Sequence, residues 1–335
     1  MPVPPNWRQI FIEFVDKWKS AFAGTNQSAQ EEFLGDRPFL NFVLTEPATS
    51  WHDFLQWKNE LKGSWAFRGQ RKSSWNLDTS LDLAVMVEYA GDGFSGYGRL
   101  NRETELSKLL FLFQQQAHHY IDNLPALDDV GSWLALMQHY GVPTRFLDWT
   151  KSPYVALFFA LADEPSEDES PETSAAVWAI DLDWLESRGQ ELLKSDYPIP
   201  ALDDYQARAK YLNVLLPNPT ENAVIVKIDP LKTNERMVAQ QGFFLCNLFH
   251  KNYASFNQIL MSMIFHQIPD EPVLRKLQVD KSQRITFLKQ LREMNIHSAS
   301  LFPGLDGFGK SLKLDLKIKA ADEGKAIADQ IINDR

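Results

Sequence analysis

The sequence of 335 residues carries 34 basic and 44 acidic side chains, and its formal net charge of −10 argues against a surface that binds nucleic acid through phosphate neutralisation alone. An apolar fraction of 44% with ten tryptophans excludes an intrinsically disordered chain. The single cysteine, Cys246, excludes an intramolecular disulfide, and neither a signal-peptide pattern nor a membrane-length apolar run is present, so we expect a cytoplasmic protein without a membrane partner.

Helical periodicity dominates the first sixty residues. The stretch WRQIFIEFVDKWKSAF places its large apolar side chains on one helix face, and residues 51–61 repeat this pattern. We therefore expect residues 1–60 to form a helical accessory layer. SWAFRG (64–69) then predicts a short strand.

The middle of the chain alternates helical and strand patterns. The glycines of 91–99 predict a flexible insertion, and a long helix should follow. WLALMQHY (133–140) predicts a short helix and TRFLDW a strand. SPYVALFFALAD (152–163) predicts a buried helix with Ser152 as N-cap and proline at the first position. The acidic block at 163–172 reads as a solvated loop.

Strand patterns then alternate with helical ones to the end of the chain. Apolar or alternating runs predict strands at 175–182, 222–229, 242–249 and 260–268. Helices are expected at 183–194, 205–214 and 281–293. The sequence thus predicts an α+β (mixed α/β) fold with a central, largely antiparallel or mixed sheet flanked by helices.

Three segments place polar groups in apolar surroundings, where an unpaired group costs about 1–3 kcal/mol. The first is AFRGQ, in which Arg68 suits a phosphate or carboxylate and Gly69 permits close approach of a ligand or backbone. The second is HYGVPTRFLDWTKSP (139–153), whose following helix could direct free N–H groups at an anion. The third is ERMVAQQGFFL, in which Arg236 and Gln240 share a helix face.

Structural explanations compete with these functional ones. Arg68 and Asp148 could be a buried ion pair that joins two strands, and Ser152 could be only a helix cap. His139 could be a general base, although a hydrogen-bonded interior histidine is commoner. Trp65, Trp75 and Trp149 could stack a base or belong to the core. No spacing of ligands predicts a metal.

The ordered set of motifs resembles the FRG domain family, named for a phenylalanine–arginine–glycine motif that Phe67, Arg68 and Gly69 match. HYGVPTRFLDWTKSPYVALFFA, RMVAQQGFF and LFPGLDGFGKSL follow in the family's order. The resemblance implies an FRG domain over 61–312, followed at 313–335 by a C-terminal tail or strand–helix. FRG domains occur in bacterial and phage proteins linked with conflict systems, which implies a toxin or antiviral role and an antitoxin or other defence-system partner.

A distant similarity to ADP-ribosyltransferases would imply their fold and NAD as substrate, without a metal. In that family NAD lies between an early strand with Arg or His, a second strand with hydroxyl residues and a later Glu or Gln. Arg68 would then hold the phosphates or ribose, Asp148 would orient the ribose or act as base, and Gln240 would approach the ribosyl bond. The residues that the resemblance would place around NAD are Arg68, Gly69, Gln70, Tyr140, Thr144, Arg145 and Thr150; further candidates are Glu105, His139, Arg236 and Gln241.

This sequence departs from that pattern because the third segment reads AQQG and has no catalytic glutamate beside Gln240. The leading hypothesis is an NAD-consuming ADP-ribosyltransferase-like enzyme that modifies an unknown protein or nucleic-acid acceptor. The alternatives are a non-catalytic module that binds a nucleotide or an anionic partner, and a nuclease.

Overall fold

The computed structural model describes residues 43–91, 94–163, 174–193, 200, 204–217, 223–230, 234–248 and 255–333. The predicted helix near residues 7–22 and most of the acidic block at 163–172 lie outside these residues. None of the described helices combines the length and apolar character needed to cross a bilayer.

Seven of the described strands form one mixed sheet. They are β1 (Leu44–Ala48), β2 (Trp65–Gln70), β5 (Phe146–Thr150), β6 (Ala175–Asp181), β7 (Ile225–Ile228), β8 (Gly242–Asn247) and β9 (Leu274–Val279). Their order across the sheet is β1-β9-β6-β2-β5-β8-β7. β1 and β9 run parallel, and the other neighbouring pairs are antiparallel.

The sheet has a narrow joint between β2 and β5. β2 pairs with β6 along six residues and β5 with β8 along five, but β2 and β5 share the single pair Phe67 and Thr150. Both strands continue on one side of this pair, toward Gln70 in β2 and toward Phe146 in β5. There the two strands are not paired with each other. We call this joint the seam; it divides the sheet into β1-β9-β6-β2 and β5-β8-β7.

Helices cover both faces of the sheet, which confirms the predicted fold class. They are α1 (Trp51–Glu60), α2 (Ser80–Val85), α3 (Arg102–Ala117), α4 (Val130–His139), α5 (Pro153–Leu161), α6 (Leu182–Leu193), α7 (Tyr205–Leu215), α8 (Glu235–Ala239), α9 (Phe256–His266), α10 (Arg284–Glu293), α11 (Ser298–Leu301) and α12 (Leu305–Asn333). A 3₁₀ turn, Lys281–Gln283, precedes α10.

The two cores lie on opposite faces of the sheet. On one face, α5 packs across β2 and β6 together with α1, α10 and α12. On the other face, side chains of β5, β7 and β8 pack with α4 and α9. The buried helix α5 begins as predicted, because Ser152 Oγ accepts from Val155 N and Pro153 occupies the first helical turn.

The run 260–268 was predicted as a strand, and that prediction is wrong. Residues 260–266 belong to α9, which begins with a capping box between Ser255 and Gln258. A short apolar run cannot by itself distinguish a buried strand from a buried helix, and the cap five residues upstream decides the outcome.

Three other expectations concern segments that the structure describes in whole or in part. The glycine-rich segment at 91–99, predicted as a flexible insertion, contributes to a two-stranded hairpin, β3 (Met86–Gly91) and β4 (Phe94–Arg99). The proposed helical layer over 1–60 includes the edge strand β1 in its described part. Finally, the boundary expected at residue 313 falls inside the continuous helix α12.

Candidate functional site

The three polar segments meet at one cavity of about 570 Å³, which opens where β2 and β5 separate beyond the seam pair. The first segment contributes Arg68, Gly69 and Gln70, and the second contributes Asp148 and Thr150. The other residues that line the cavity are Phe67, Arg71, Ser74, Trp75, Asn76, Asp78, Leu83, Trp149, Phe159, Asp163, Arg236, Met237, Gln240, Gly242, Phe243 and Phe244.

Arg68 lies within β2, one residue after the seam pair, and holds the β5 backbone. Its Nη1 donates to the Asp148 carbonyl oxygen at 2.7 Å, whereas the nearest Asp148 carboxylate oxygen is 3.9 Å away. The contact is therefore chiefly an arginine-to-carbonyl bond across the seam, and the tight buried ion pair considered from the sequence is not what the structure contains. The Arg68 side chain is 22% exposed, and that of Asp148 is 60% exposed.

The cavity lining includes buried donors that no described acceptor satisfies. Arg68 Nε and Trp149 Nε1 are both inaccessible to solvent, and neither has a hydrogen-bond partner within the described residues. Burial lowers the pKa of Arg68 and the charge of Asp148 opposes that shift, but a guanidinium stays cationic at neutral pH. Arg68 thus places a fixed positive charge with spare donor capacity at the seam.

Asp148 is oriented by a residue that the sequence did not single out. Gln138, near the end of α4, donates from Nε2 to Asp148 Oδ2 at 3.0 Å. Its Oε1 accepts from Thr144 Oγ1 at 2.5 Å. This chain fixes the amide orientation of Gln138 and holds the carboxylate beside the cavity. In the sequence, the position of Gln138 near the end of a mostly apolar helix was the feature that could have identified it.

The third segment lies against the cavity, but its amide is already engaged. Gln240 Nε2 donates to the Leu301 carbonyl at 2.9 Å, and the Gln240 carbonyl accepts from Thr150 Oγ1 at 2.6 Å. The Arg236 guanidinium lies 4.7 Å from the Phe302 ring centroid. Gln240 therefore connects α8 and β8 to both β5 and α11.

Two residues of the first segment have structural contacts. Gln70 is buried, donates from Nε2 to the Asn76 carbonyl and accepts from Trp178 Nε1 at 2.6 Å. A Cβ on Gly69 would lie 1.9 Å from the Ala156 carbonyl oxygen of α5. The close approach expected at this glycine is therefore made by a helix backbone.

Other predicted site residues lie outside the cavity lining. Thr144 is fully buried, and Arg145 forms an ion pair with Glu103 at 3.7 Å. Glu105 pairs with Lys108 at 2.8 Å. Tyr140 is exposed, in ring contact with His139.

His139 and Gln241 also lie outside the lining. His139 Nδ1 is 3.4 Å from Asn234 Nδ2, and burial together with the charge of Arg236 lowers the pKa of the imidazole. Gln241 has a φ of 49°, in the left-handed region that a non-glycine residue rarely adopts. That backbone position forms the turn between α8 and β8.

The loop after β2 supplies the cavity mouth. Trp75 is 44% exposed, and the Arg71 guanidinium lies 5.5 Å and the Lys72 ammonium 5.9 Å from its ring centroid. The sequence pattern singles out Trp75 but not Arg71 or Asn76, because a turn-rich loop has no periodicity that predicts which side chains point toward a cavity. The mouth combines an aromatic surface with positive charge.

Comparison with known families covers the first two of the four motif segments. Residues 63–169 match the FRG domain family, a region that begins just before β2 and ends just after α5. No curated protein and no solved structure matches the chain significantly. In the described part of the chain, no three His, Cys, Asp or Glu side chains cluster in a way that could hold a metal ion. The chain therefore contains an FRG domain, and its matching residues include the arginine and the aspartate that face each other across the seam.

Proposed function

We propose that the seam cavity binds NAD and that the chain is an ADP-ribosyltransferase-like enzyme acting in a bacterial toxin or antiphage system. The observation that carries this proposal is the adjacency of the three motif strands. β2, β5 and β8 are neighbours in the sheet, and residues from all three line one cavity. This arrangement agrees with the order of an early arginine strand, a second strand with hydroxyl residues and a later glutamine.

The size and charge of the cavity support a nucleotide ligand. A volume of about 570 Å³ is in the range of sites that enclose small molecules, about 300–1,000 Å³. The partly exposed, cationic Arg68 side chain could donate to a phosphate oxygen, and a charge-assisted bond of this type contributes about 1.5–3 kcal/mol. The exposed ring of Trp75 could stack on a base at the mouth.

The carboxylate of Asp148 supports the chemical step. In transfer, the bond between ribose C1′ and the nicotinamide nitrogen breaks, and nicotinamide leaves with the electron pair. Positive charge then develops on the ribosyl centre, which a carboxylate held by Gln138 would stabilise. The acceptor nucleophile forms the new bond to C1′ and gives up its proton to Asp148 or to water.

One observation favours the alternative of a non-catalytic binding module. Gln240 is the position nearest to the glutamate of transferases, yet its amide nitrogen is bonded to the Leu301 carbonyl. A module of this type would use Arg68 to hold a nucleotide or an anionic partner of a defence system and would release no nicotinamide.

The test combines binding and turnover in matched variants. Wild type, Arg68→Ala and Asp148→Asn are each incubated with NAD, and nicotinamide release and heat of binding are measured. Arg292→Ala is the control, because Arg292 also bonds protein oxygens, through Ser311 and Asp315, but does not line the cavity. Circular dichroism verifies that each variant is folded.

We expect Arg68→Ala to weaken NAD binding by about tenfold to a hundredfold, corresponding to the loss of one charge-assisted bond. Asp148→Asn should retain binding and lose nicotinamide release, while Arg292→Ala should change neither. Binding without release by the wild type, including with cell lysate as a source of acceptor, would favour the module. Absence of NAD binding would overturn the proposal, and metal-dependent cleavage of nucleic acid would favour the nuclease hypothesis.

A further inference from the structure

The C-terminal helix α12 buries one side of its first half. Leu314 and Ile318 belong to the core around α5, and Ser311 is also buried. Arg292 of α10 bonds Asp315 at 2.6 Å. α12 therefore lies along α10 and α11 through a single face.

The opposite side of α12 is apolar and exposed. Leu305 is 83% exposed, Leu316 71% and Ile327 57%. At about 100° per residue, the exposed apolar side chains form one stripe on the side away from Leu314 and Ile318. The members of this stripe are Leu305, Phe308, Leu312, Leu316, Ile327 and Ile331. An exposed apolar surface of this kind, interrupted by Lys319 and Glu323 between Leu316 and Ile327, marks an interaction site rather than scattered surface residues.

The second half of α12 has little support within the described structure. From Lys319 to Ile331 each residue is exposed, and an ion pair between Lys289 and Asp322 touches only the start of this half. A helical segment shorter than about 12–15 residues is marginal in water. Gly324 lowers its helix propensity by about 1 kcal/mol relative to alanine. This half therefore gains from a partner that packs along the stripe.

We propose that the stripe binds a second copy of this chain as an antiparallel helix pair. A twofold axis between Lys319 and Glu323 would make the stripe complementary to itself. Ile331 of one copy would then meet Leu312 of the other, and Ile327 would meet Leu316. In each copy, the exposed second half of α12 would cover the exposed face of the first half of α12 in the other copy.

Charge complementarity supports the antiparallel arrangement. Lys319 and Glu323 interrupt the stripe at its centre and already form a loose pair within one helix, at 4.0 Å. In the proposed dimer, Lys319 of one copy faces Glu323 of the other, and the reverse pair forms by symmetry. The antiparallel dimer therefore has two contacts between opposite charges. A parallel dimer would instead place Lys319 beside Lys319 and Glu323 beside Glu323.

The experiment measures the dimer dissociation constant of the full chain by sedimentation equilibrium over a concentration series. We expect a dimer in the wild type and at least about a hundredfold weaker association in Ile327→Glu, since two buried apolar contacts per dimer become charged. Lys319→Glu and Glu323→Lys should each weaken association by about tenfold, because each creates two like-charge contacts. The double exchange, Lys319→Glu with Glu323→Lys, should restore it.

Lys325→Glu is the matched control, because it makes the same charge change on the side of α12 opposite to the stripe and should leave the dimer unchanged. A wild type that stays monomeric up to about 100 µM, a concentration at which even weak interfaces associate, would overturn the proposal. In that case the N-terminal residues of the chain or a different protein covers the stripe. Failure of the double exchange to restore association would also overturn the antiparallel arrangement.

Discussion

Gly69 offers the sharpest test of how the motif is built. A Cβ at this position would lie 1.9 Å from the Ala156 carbonyl oxygen and 2.6 Å from the Ala160 nitrogen. Both are backbone atoms of the buried helix α5, so the strain cannot be relieved by rotating a side chain. Overpacking a core costs about 1–3 kcal/mol and sometimes more, and because Gly69→Ala must displace a helix we expect about 3 kcal/mol or more of lost stability.

Urea unfolding followed by circular dichroism measures this loss. Gly309→Ala is the matched control, since the same added methyl meets no atom within 4 Å in α12 and should stabilise the chain by up to about 1 kcal/mol. Gly307→Ala should resemble Gly69→Ala, because its Cβ would lie 2.0 Å from the Phe302 carbonyl oxygen. If Gly69→Ala unfolds within about 0.5 kcal/mol of wild type, the packing explanation of the motif glycine is refuted.

Three further predictions concern buried or partly buried groups. Burial lowers the pKa of Lys276 to about 8, so between pH 8 and 10.5 the unfolded chain holds a proton that the native chain lacks. The stability of wild type relative to Lys276→Met, measured by urea unfolding, should therefore rise from pH 7 to pH 10; a flat or falling difference contradicts this. Burial raises the pKa of Cys246 to about 12, so its thiol should react with a disulfide reagent at pH 8 only as the chain unfolds, and fast stoichiometric labelling of native protein would disprove the burial. Gln240→Glu replaces the donor to the Leu301 carbonyl with an acceptor and should cost about 1–3 kcal/mol of unfolding free energy, whereas a more stable or more active variant would show that this bond is dispensable.

Local sequence patterns were enough to predict the helix and the strands that carry Arg68, Asp148 and Ser152. Ser152 and Pro153 predicted the start of α5, and the polar residues within apolar runs identified Arg68 and Asp148, which the structure brings to one cavity. In these segments the local sequence pattern agrees with the conformation that the structure shows. The resemblance to the FRG family was stated over residues 61–312, and the family match covers residues 63–169, which contain the first two motifs.

The strands β1 and β9 could not be predicted because their stability comes from a distant partner. Arg275 of β9 bonds Glu46 of β1 at 2.6 Å, and both side chains are almost fully buried. Charged residues in LTEPA and LRKLQV hide the strand pattern until the two segments pair across the sequence. The contact between Gln138 and Asp148 could not be predicted for the same reason, since it depends on where α4 lies relative to β5.

The seam has a consequence for folding. The described strands cross it four times along the chain, from β2 to β5, β5 to β6, β6 to β7 and β8 to β9. Strands that pair within one half of the sheet are therefore separated along the chain by strands of the other half, and such long-range pairing gives a high contact order and slow folding. Residues 63–169 supply only β2 and β5 to this sheet, so an excised fragment would expose the strand edges that β6 and β8 normally cover. The family signature thus follows the walls of the cavity and does not mark a unit that folds by itself.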